Sequence, residues 1–185
     1  MPAKPDNWII DMCRRHRMIE PFSETQIRTG ISFGVSSYGY DISLADEFKV
    51  LNPSVVKELD PKQSDPAQFT TVNAESVLIP ANSFVLARTK EYFRIPRNII
   101  TICFGKSTYA RSGLVVNVTP FEPEWEGFAT ISLSNTAPVP LRVYANEGIA
   151  QLIFLEGDGD CSQSYAYKKG KYQAQQEITL AKGRD

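Results

Sequence analysis

The stretch NIITICFGKSTYARSGLVVNV, residues 98–118, places a polar cluster between two runs of β-branched and aromatic residues. The runs at 98–104 and 114–118 are typical of strands, because such side chains fit a pleated, half-buried surface. The cluster between them, 105–113, contains a lysine, an arginine, several hydroxyl side chains and two glycines. It is either an ordinary polar connection or a binding loop, since loops on a rigid scaffold commonly carry ligand-binding residues.

The spacing of this cluster excludes a nucleoside-triphosphate P-loop. Gly105, Lys106 and Ser107 match the end of that motif, but its first glycine would fall on Ile100. A P-loop also leads into a long helix, whereas here β-branched residues resume at position 114.

Strand-like runs continue on both sides of the cluster from residue 76 onward, and Pro, Gly or Asn separates them. This pattern predicts an all-β barrel or sandwich. The predicted strands are 76–79, 83–89, 98–104, 114–119, 128–135, 141–145 and 149–156.

Three segments fall outside this strand pattern. One amphipathic helix is predicted over 6–19, where apolar residues recur at helical spacing after a proline. The segment 52–70 contains three prolines among polar residues and is predicted to be a surface excursion. The polar stretch 168–185 is either a frayed tail or a segment that folds over an anionic ligand.

Bulk composition restricts the class of partner. A chain of 185 residues suits one domain, and a net charge of −1 argues against a broad nucleic-acid or membrane surface while leaving room for a local anion pocket. No apolar run approaches the roughly 18 residues of a membrane span, and no secretory signal is evident, so we expect a cytoplasmic protein. The three distant cysteines suggest neither a disulfide framework nor a C-x-x-C metal site. The only histidine, His16, lies in a basic run typical of a solvated helix face, which excludes histidine-dependent triads.

The run FATISLSN, 128–135, has two different faces. With a period of two, Ala129, Ile131 and Leu133 point one way, and the hydroxyls of Thr130 and Ser132 point the other. Just upstream, the three glutamates of 122–126 form either a solvated acidic loop or a source of a base or of cation ligands.

Several motifs in order resemble the dCTP deaminase family of the trimeric dUTPase superfamily: ISFGVSSYGYDISLADEFKV (31–50), GKSTYARSGLVVNVTPFEPEWEG (105–127), SNT (134–136), YANEGIAQLIF (144–154) and GKYQAQQ (170–176). The resemblance implies a mainly β, distorted dUTPase-like barrel, with a short N-terminal helix, formed by residues 1–185. It also implies a homotrimer with sites between subunits, and a tail, 162–185, that closes over the nucleotide. The implied reaction is hydrolysis of dCTP to dUTP and ammonia, with Mg²⁺ on the triphosphate and dTTP as a feedback inhibitor.

The family also implies roles for individual residues. The segment matching KSTYAR holds the nucleotide, and lysine and arginine can donate charge-assisted hydrogen bonds to phosphate. The strand backbone near 130 meets the base, and tail positions cover the nucleotide. The residues assigned by this matching are Lys106, Ser107, Thr108, Tyr109, Ala110, Arg111, Thr130, Ile131, Gln151, Tyr165, Lys171 and Gln175.

Catalysis in the family uses no zinc, and this chain lacks the H-x-E and P-C-x-x-C set of zinc deaminases. Members position a water near a hydroxyl of the first motif, here Ser107, with the motif's arginine, Arg111, also carried over to the catalytic set. They move protons with a glutamate in a pattern like TLEFSNT. This chain reads TISLSNT, which places Ser132 at the glutamate position. Ser43 likewise stands where relatives commonly have arginine.

A serine hydroxyl cannot hold a proton reversibly near neutral pH, and loss of a general acid–base group costs about 10² to 10⁴ in rate. Two alternatives to a dCTP deaminase therefore stay open. One is a dNTP-binding protein without deaminase activity. The other is a dUTPase-like diphosphohydrolase in which Glu122 orients water toward the α-phosphate.

Overall fold

The longest strand of the protein is a 13-residue segment that pairs along both of its edges. The structure is a computed structural model that describes residues 2–183. Its elements in chain order are α1 (Asp6–His16), β1 (Ile19–Glu20), β2 (Gly34–Ser36), β3 (Gly39–Leu51), a 3-10 helix (Pro66–Gln68), β4 (Phe69–Asn73), β5 (Ser76–Ile79), β6 (Phe84–Arg94), β7 (Ile99–Gly105), α2 (Ser107–Ala110), β8 (Leu114–Asn117), β9 (Glu126–Asn135), β10 (Leu141–Tyr144) and β11 (Gly148–Glu156).

Nine of these strands form one curved sheet, in which the main path runs β7-β11-β3-β6-β9-β8. Strands β2 and β4 also pair with β3, β1 pairs with β6, and β5 and β10 form a separate two-stranded ribbon. All of these pairs are antiparallel. The predicted mainly β barrel with a short N-terminal helix is therefore confirmed.

Strand β3 was not among the predicted strands, although it lies at the centre of the sheet. Its pattern is broken by Asp41 and Ser43, which are buried polar residues at 4% and 1% exposure. A strand buried on both faces shows no alternation of polar and apolar residues, and buried polar side chains hide its apolar character. The pairing of β3 with β11 and β6 supplies the burial that the local sequence does not indicate.

Helix α1 ends earlier than the sequence predicted. The chain leaves the helix at Arg17, which has a φ of 53° and donates its N–H to the carbonyl of Cys13. Ile19 then pairs with Phe93 of β6, so the apolar residues after position 16 pack as a strand rather than as a last helical turn. The exposed His16 lies in the last turn of α1, as the solvated-face interpretation predicted.

The polar cluster at 105–113 contains a short helix that the sequence analysis did not predict. Residues 107–110 make one turn, in which the N–H of Ala110 bonds to the carbonyl of Lys106 and that of Arg111 to the carbonyl of Ser107. Gly113 ends the turn with a φ of 85°, a conformation that L side chains rarely adopt. Strand β8 follows at once, which agrees with the exclusion of a P-loop.

The cysteines Cys13, Cys103 and Cys161 are unpaired. Burial raises the pKa of both the Cys13 and the Cys103 thiol to about 12, so neither ionises near neutral pH. Within residues 2–183, no helix has the length and apolar character that crossing a membrane requires.

The buried carboxyl group of Glu91 lies between the paired strands β6 and β3. Both oxygens of Glu91 accept hydrogen bonds from the N–H of Ser43 at 3.1 Å, and one accepts from the Ser43 hydroxyl at 2.8 Å. Burial raises the pKa of Glu91 to about 7, although the bonds from Ser43 act in the opposite direction. The register of β6 against β9 shifts at this place, between Arg88 and Tyr92.

We expect Glu91→Gln to stabilise the protein at neutral pH. The native state holds a proton on Glu91 that the unfolded chain releases near pH 4.5, so the contribution of this group to stability falls as pH rises from 4.5 to about 7. The difference in the free energy of unfolding between variant and wild type should increase over that pH interval by on the order of 3 kcal/mol and stay constant above it. Urea unfolding from pH 4.5 to 8.5 measures it, with the exposed Glu58→Gln as the matched control. Parallel pH profiles for Glu91→Gln and wild type would contradict the assignment.

Candidate functional site

The candidate site centres on a cleft of about 660 Å³ between the polar face of β9, the connection 117–122 and the C-terminal segment. The side chains of β9 alternate in burial, as predicted: Ala129, Ile131 and Leu133 are buried, whereas Thr130 and Ser132 are partly exposed and line the cleft. The buried Ala129 also borders the cleft. Two predicted tail residues, Tyr165 and Gln175, line it as well. The Ile131 side chain is in the core, and Ile131 does not line the cleft.

An aromatic wall closes one side of the cleft. The rings of Phe121 and Trp125 lie 4.6 Å apart between centroids, and Phe93 packs behind Phe121 at 5.3 Å. The indole N–H of Trp125 donates to the carbonyl of Tyr172 at 2.9 Å. The sequence analysis included Trp125 only within the acidic connection at 122–126 and gave it no role of its own. Its large apolar surface next to a strand with a polar face was the signal that could have placed it in the cleft.

The C-terminal segment is fastened to β9 through Thr130. The Thr130 hydroxyl oxygen accepts hydrogen bonds from the side-chain amide of Gln175 at 2.6 Å and from the N–H of Thr179 at 3.0 Å. The side-chain amide of Gln175 also donates to the carbonyl of Phe128. The N–H of Phe128 in turn donates to the backbone carbonyl of Gln175. Gly127 permits this approach, since a Cβ there would lie 2.8 Å from the backbone nitrogen of Gln175. The predicted tail, 162–185, is described as far as 183, and its last two residues lie outside the described range.

Two other tail residues are held by groups of their own segment. The ammonium of Lys171 donates to the carbonyl of Lys182 at 2.6 Å, and Lys171 does not line the cleft. Tyr165 accepts a bond at its hydroxyl from the N–H of Tyr172. Tyr165 therefore borders the cleft, whereas Lys171 lies outside it in this structure.

The carboxylate at the cleft is that of Glu122, which the sequence analysis considered as a base. It pairs with Lys168 of the tail at 2.5 Å, and both side chains are about two-fifths exposed. The hydroxyl of Ser132 makes no hydrogen bond to any of residues 2–183. Within the same range, no group of three or more His, Cys, Asp or Glu side chains could hold a metal ion.

The predicted residues of the 106–111 turn lie away from this cleft. Thr108 and Tyr109 line a second cavity of about 370 Å³ together with Arg142 and Tyr144. Tyr109 is buried and accepts a hydrogen bond from the N–H of Tyr144, and burial raises its pKa to about 12. Ser107 and Ala110 are exposed.

Two further residues complete the turn group. The guanidinium of Arg111 is exposed and donates to the carbonyl of Ser107 at 2.9 Å. Gln151 lies opposite Asp41 and Phe104 in the sheet and bonds to Ser36. Within residues 2–183, no residue lines both cavities. One chain thus brings together a cleft group, which contains Thr130, Ser132, Tyr165 and Gln175, and separately a turn group, which contains residues 106–111 and Gln151.

Comparison with known proteins gives consistent matches over the chain. A model of the dCTP deaminase-like family matches residues 3–157. The dCTP deaminase of Acidobacterium capsulatum is 57% identical over 183 residues, which cover 98% of this chain and 100% of the relative. The dCTP deaminase of Rhodospirillum centenum is 56% identical over 181 residues, with 97% of this chain and 98% of the relative covered.

A solved structure shares the fold. The 2'-deoxycytidine 5'-triphosphate deaminase from Agrobacterium tumefaciens superposes with a TM-score of 0.65 at 14% identity. The match covers 84% of this chain and 48% of the solved one, so the present chain spans about half of that protein.

Thr130→Val should loosen the C-terminal segment, because the variant cannot accept the bonds from Gln175 and Thr179. The amide of Thr179 should exchange with solvent roughly fivefold faster, since one hydrogen bond contributes about 1 kcal/mol. Hydrogen exchange measures this directly. Ser134→Ala, on the same face of β9, is the matched control. Unchanged protection of Thr179 in Thr130→Val would show that other contacts hold the segment.

Proposed function

Because the chain belongs to the dCTP deaminase-like family, we propose that it catalyses the hydrolysis of dCTP to dUTP and ammonia. The observation that carries this proposal is the 57% identity to a protein named dCTP deaminase over the full length of that relative. A cleft of about 660 Å³ falls within the range of roughly 300 to 1,000 Å³ that small-molecule sites occupy.

In this proposal the cleft takes the pyrimidine and the deoxyribose. Trp125 and Phe121 offer apolar surface to the ligand, and the β9 backbone at Thr130 and Ile131 can bond to the polar edge of a base. Gln175 and Tyr165 then cover the nucleotide from the tail side. The hydrogen bond between Gln175 and Thr130 favours this arrangement, since it already brings the tail across the strand.

The triphosphate requires cations, and no lysine or arginine among residues 2–183 lines the cleft. Arg111 is an exposed guanidinium, and Ser107 and Thr108 carry exposed hydroxyls on the same turn. Charge-assisted bonds from such groups to phosphate are among the stronger hydrogen bonds in proteins. Mg²⁺ enters in this scheme with the triphosphate of the substrate.

We also propose that the protein works as a homotrimer with sites between subunits. The separation of the cleft group from the turn group supports the trimer, since one nucleotide needs both a base site and a phosphate site. The cleft group of one copy can meet the turn group of a neighbouring copy. Residues Ile102 and Phe104 of β7 and Val115 of β8 are exposed apolar side chains close to the turn, and another copy could cover them.

Two further expectations accompany this function. A site that binds one pyrimidine deoxynucleoside triphosphate suits feedback inhibition by another, dTTP. A cytoplasmic location is supported by three unpaired cysteines, because exported proteins commonly oxidise theirs.

The chemistry requires that water adds to C4 of cytosine and that ammonia leaves, with protons moved from the water to the base and to the leaving group. Ser132 is directed into the cleft at the position of the family's glutamate, and its hydroxyl does not exchange a proton near neutral pH. Ser107 and Arg111 can orient the water and stabilise charge, but neither replaces a carboxylate. Turnover by this chain is therefore expected to be slow.

Ser132→Glu should raise the rate of dCTP deamination by roughly 10² or more, the magnitude that a positioned acid–base group contributes. The assay follows loss of cytosine absorbance with dCTP and Mg²⁺, together with ammonia and pyrophosphate. Ser134→Glu, on the same face of the strand, is the matched control, and dCTP affinity is measured for each protein. Pyrophosphate as the product would support the diphosphohydrolase alternative. Equal deamination rates for serine and glutamate forms would contradict the role given to position 132 and lead to Glu122→Gln as the next variant.

Sedimentation equilibrium of the purified protein at micromolar concentration should give the mass of a trimer. Phe104→Lys places a charge on the exposed apolar face of β7 and should shift the equilibrium toward monomers, whereas Lys57→Met in the surface segment should leave it unchanged. A wild-type protein that sediments as a monomer would contradict both the assembly and the site between subunits.

A further inference from the structure

Lys106 directly precedes the 107–111 turn, and its ammonium is directed into the protein rather than toward solvent. The Nζ atom lies 2.6 Å from a carboxylate oxygen of Asp41 and 3.2 Å from the hydroxyl of Ser32. The Lys106 side chain is 12% exposed and that of Asp41 is 6% exposed. The same Asp41 oxygen accepts a bond from the amide of Gln26 at 3.1 Å. The pair is therefore enclosed by β3 and by the segment between β1 and β2.

The backbone of Lys106 marks the point where β7 becomes the turn. Its N–H donates to the carbonyl of Ile149 in β11, and its carbonyl accepts the first helical bond from Ala110. The aliphatic part of the side chain passes over Gly148, where a Cβ would lie 3.1 Å from the Cδ of Lys106. The side chain thus crosses β11 to reach Asp41 on β3.

Withdrawal of Lys106 from this position would leave the Asp41 carboxylate buried without a cation, and a buried unpaired charge is strongly unfavourable. The ammonium is accordingly not available to a phosphate group while the turn has this conformation. Arg111 has no such restriction, because it is exposed and its guanidinium bonds only to the carbonyl of Ser107 among residues 2–183.

We propose that Asp41 is a positioning residue, which holds the 107–111 turn in its nucleotide-binding conformation through the buried contact with Lys106, and that Lys106 does not itself bind phosphate. This inference rests on the proposed function, because it concerns the part of the site that would receive the triphosphate. It assigns recognition of the phosphates to the exposed guanidinium and hydroxyls of the turn.

Asp41→Asn separates this role from that of a phosphate ligand, because the two roles predict opposite changes. The variant keeps the cation of Lys106 and removes the carboxylate that holds it. If Asp41 positions the turn, dCTP should bind about tenfold or more weakly, since misplaced binding groups carry penalties of that size or larger. If Lys106 is a phosphate ligand, its release and the loss of a nearby negative charge should leave dCTP binding equal or tighter.

The experiment measures dCTP dissociation constants by calorimetry for wild type, Asp41→Asn, Lys106→Met and the double variant, with the exposed Lys57→Met as the charge control. Asp41→Asn and Lys106→Met should each bind dCTP weakly. The double variant should bind dCTP no more weakly than the weaker of these two single variants. Lys106→Arg, which retains a cation for Asp41, should recover much of the affinity. If Lys106→Met fails to fold, Asp41→Asn alone still distinguishes the two roles, because it preserves the shape of the side chain at 41 and leaves the lysine in place.

Hydrogen exchange distinguishes positioning from general destabilisation. In Asp41→Asn, the amides of Ala110 and Arg111 should exchange faster while those of β6 and β9 do not change. Faster exchange throughout the chain, or dCTP binding that is unchanged or tighter in Asp41→Asn, would overturn the inference. Absence of dCTP binding by the wild type would contradict the proposed function instead, and exchange at the turn would still test the contact.

Discussion

The antiparallel pairing of β3 along both edges is the constraint on which the rest of the structure depends. Residues 40 and 41 pair with β2 on one edge and with β11 on the other, and residues 48–50 pair with β4 and β6 on opposite edges. A strand enclosed in this way must satisfy any polar side chain that it carries, because an unpaired polar group in the interior is costly. Strand β3 carries two buried polar side chains, those of Asp41 and Ser43. Asp41 bonds to Lys106 and thereby ties the end of β7 to the sheet, and Ser43 bonds to Glu91 at the place where β6 bends.

These two buried contacts link the core to opposite parts of the candidate site. Through Asp41, the centre of the sheet supports the turn that carries Arg111. Through Ser43 and Glu91, it supports the irregular part of β6, where the Thr89 hydroxyl donates to the carbonyl of Glu91 and accepts from the N–H of Ala129 in β9. Ala129 immediately precedes Thr130, to which the tail is fastened. A perturbation of β3 is therefore expected to reach both the cleft group and the turn group.

The family resemblance predicts an arginine where this chain has Ser43 and a glutamate where it has Ser132, and the two serines occupy very different environments. At 43, an arginine would bring a cation to Glu91, whereas serine supplies only hydrogen bonds, and burial keeps the pKa of the carboxyl near 7. At 132, a glutamate would project into the cleft, whereas serine leaves a short hydroxyl facing space. Serine at 43 is therefore expected to act on the stability of the protein and serine at 132 on its chemistry, since Ser132 borders the cleft and Ser43 does not.

The sequence by itself determined the β class, the strands after residue 76, the two faces of β9 and the family, because each depends on local alternation or on motifs contiguous in the chain. It missed β3, whose buried Asp41 and Ser43 interrupt the apolar pattern, and it extended α1 past Arg17, where a left-handed backbone ends the helix. It also assigned Lys106 to phosphate, by matching the 106–111 segment to the motif of the family. Only the tertiary structure decided that this ammonium faces Asp41 and that Trp125 borders the cleft, because both outcomes depend on partners distant in sequence. The separation of the turn from the cleft was likewise decided by the order in which the sheet assembles its strands, which no local pattern records.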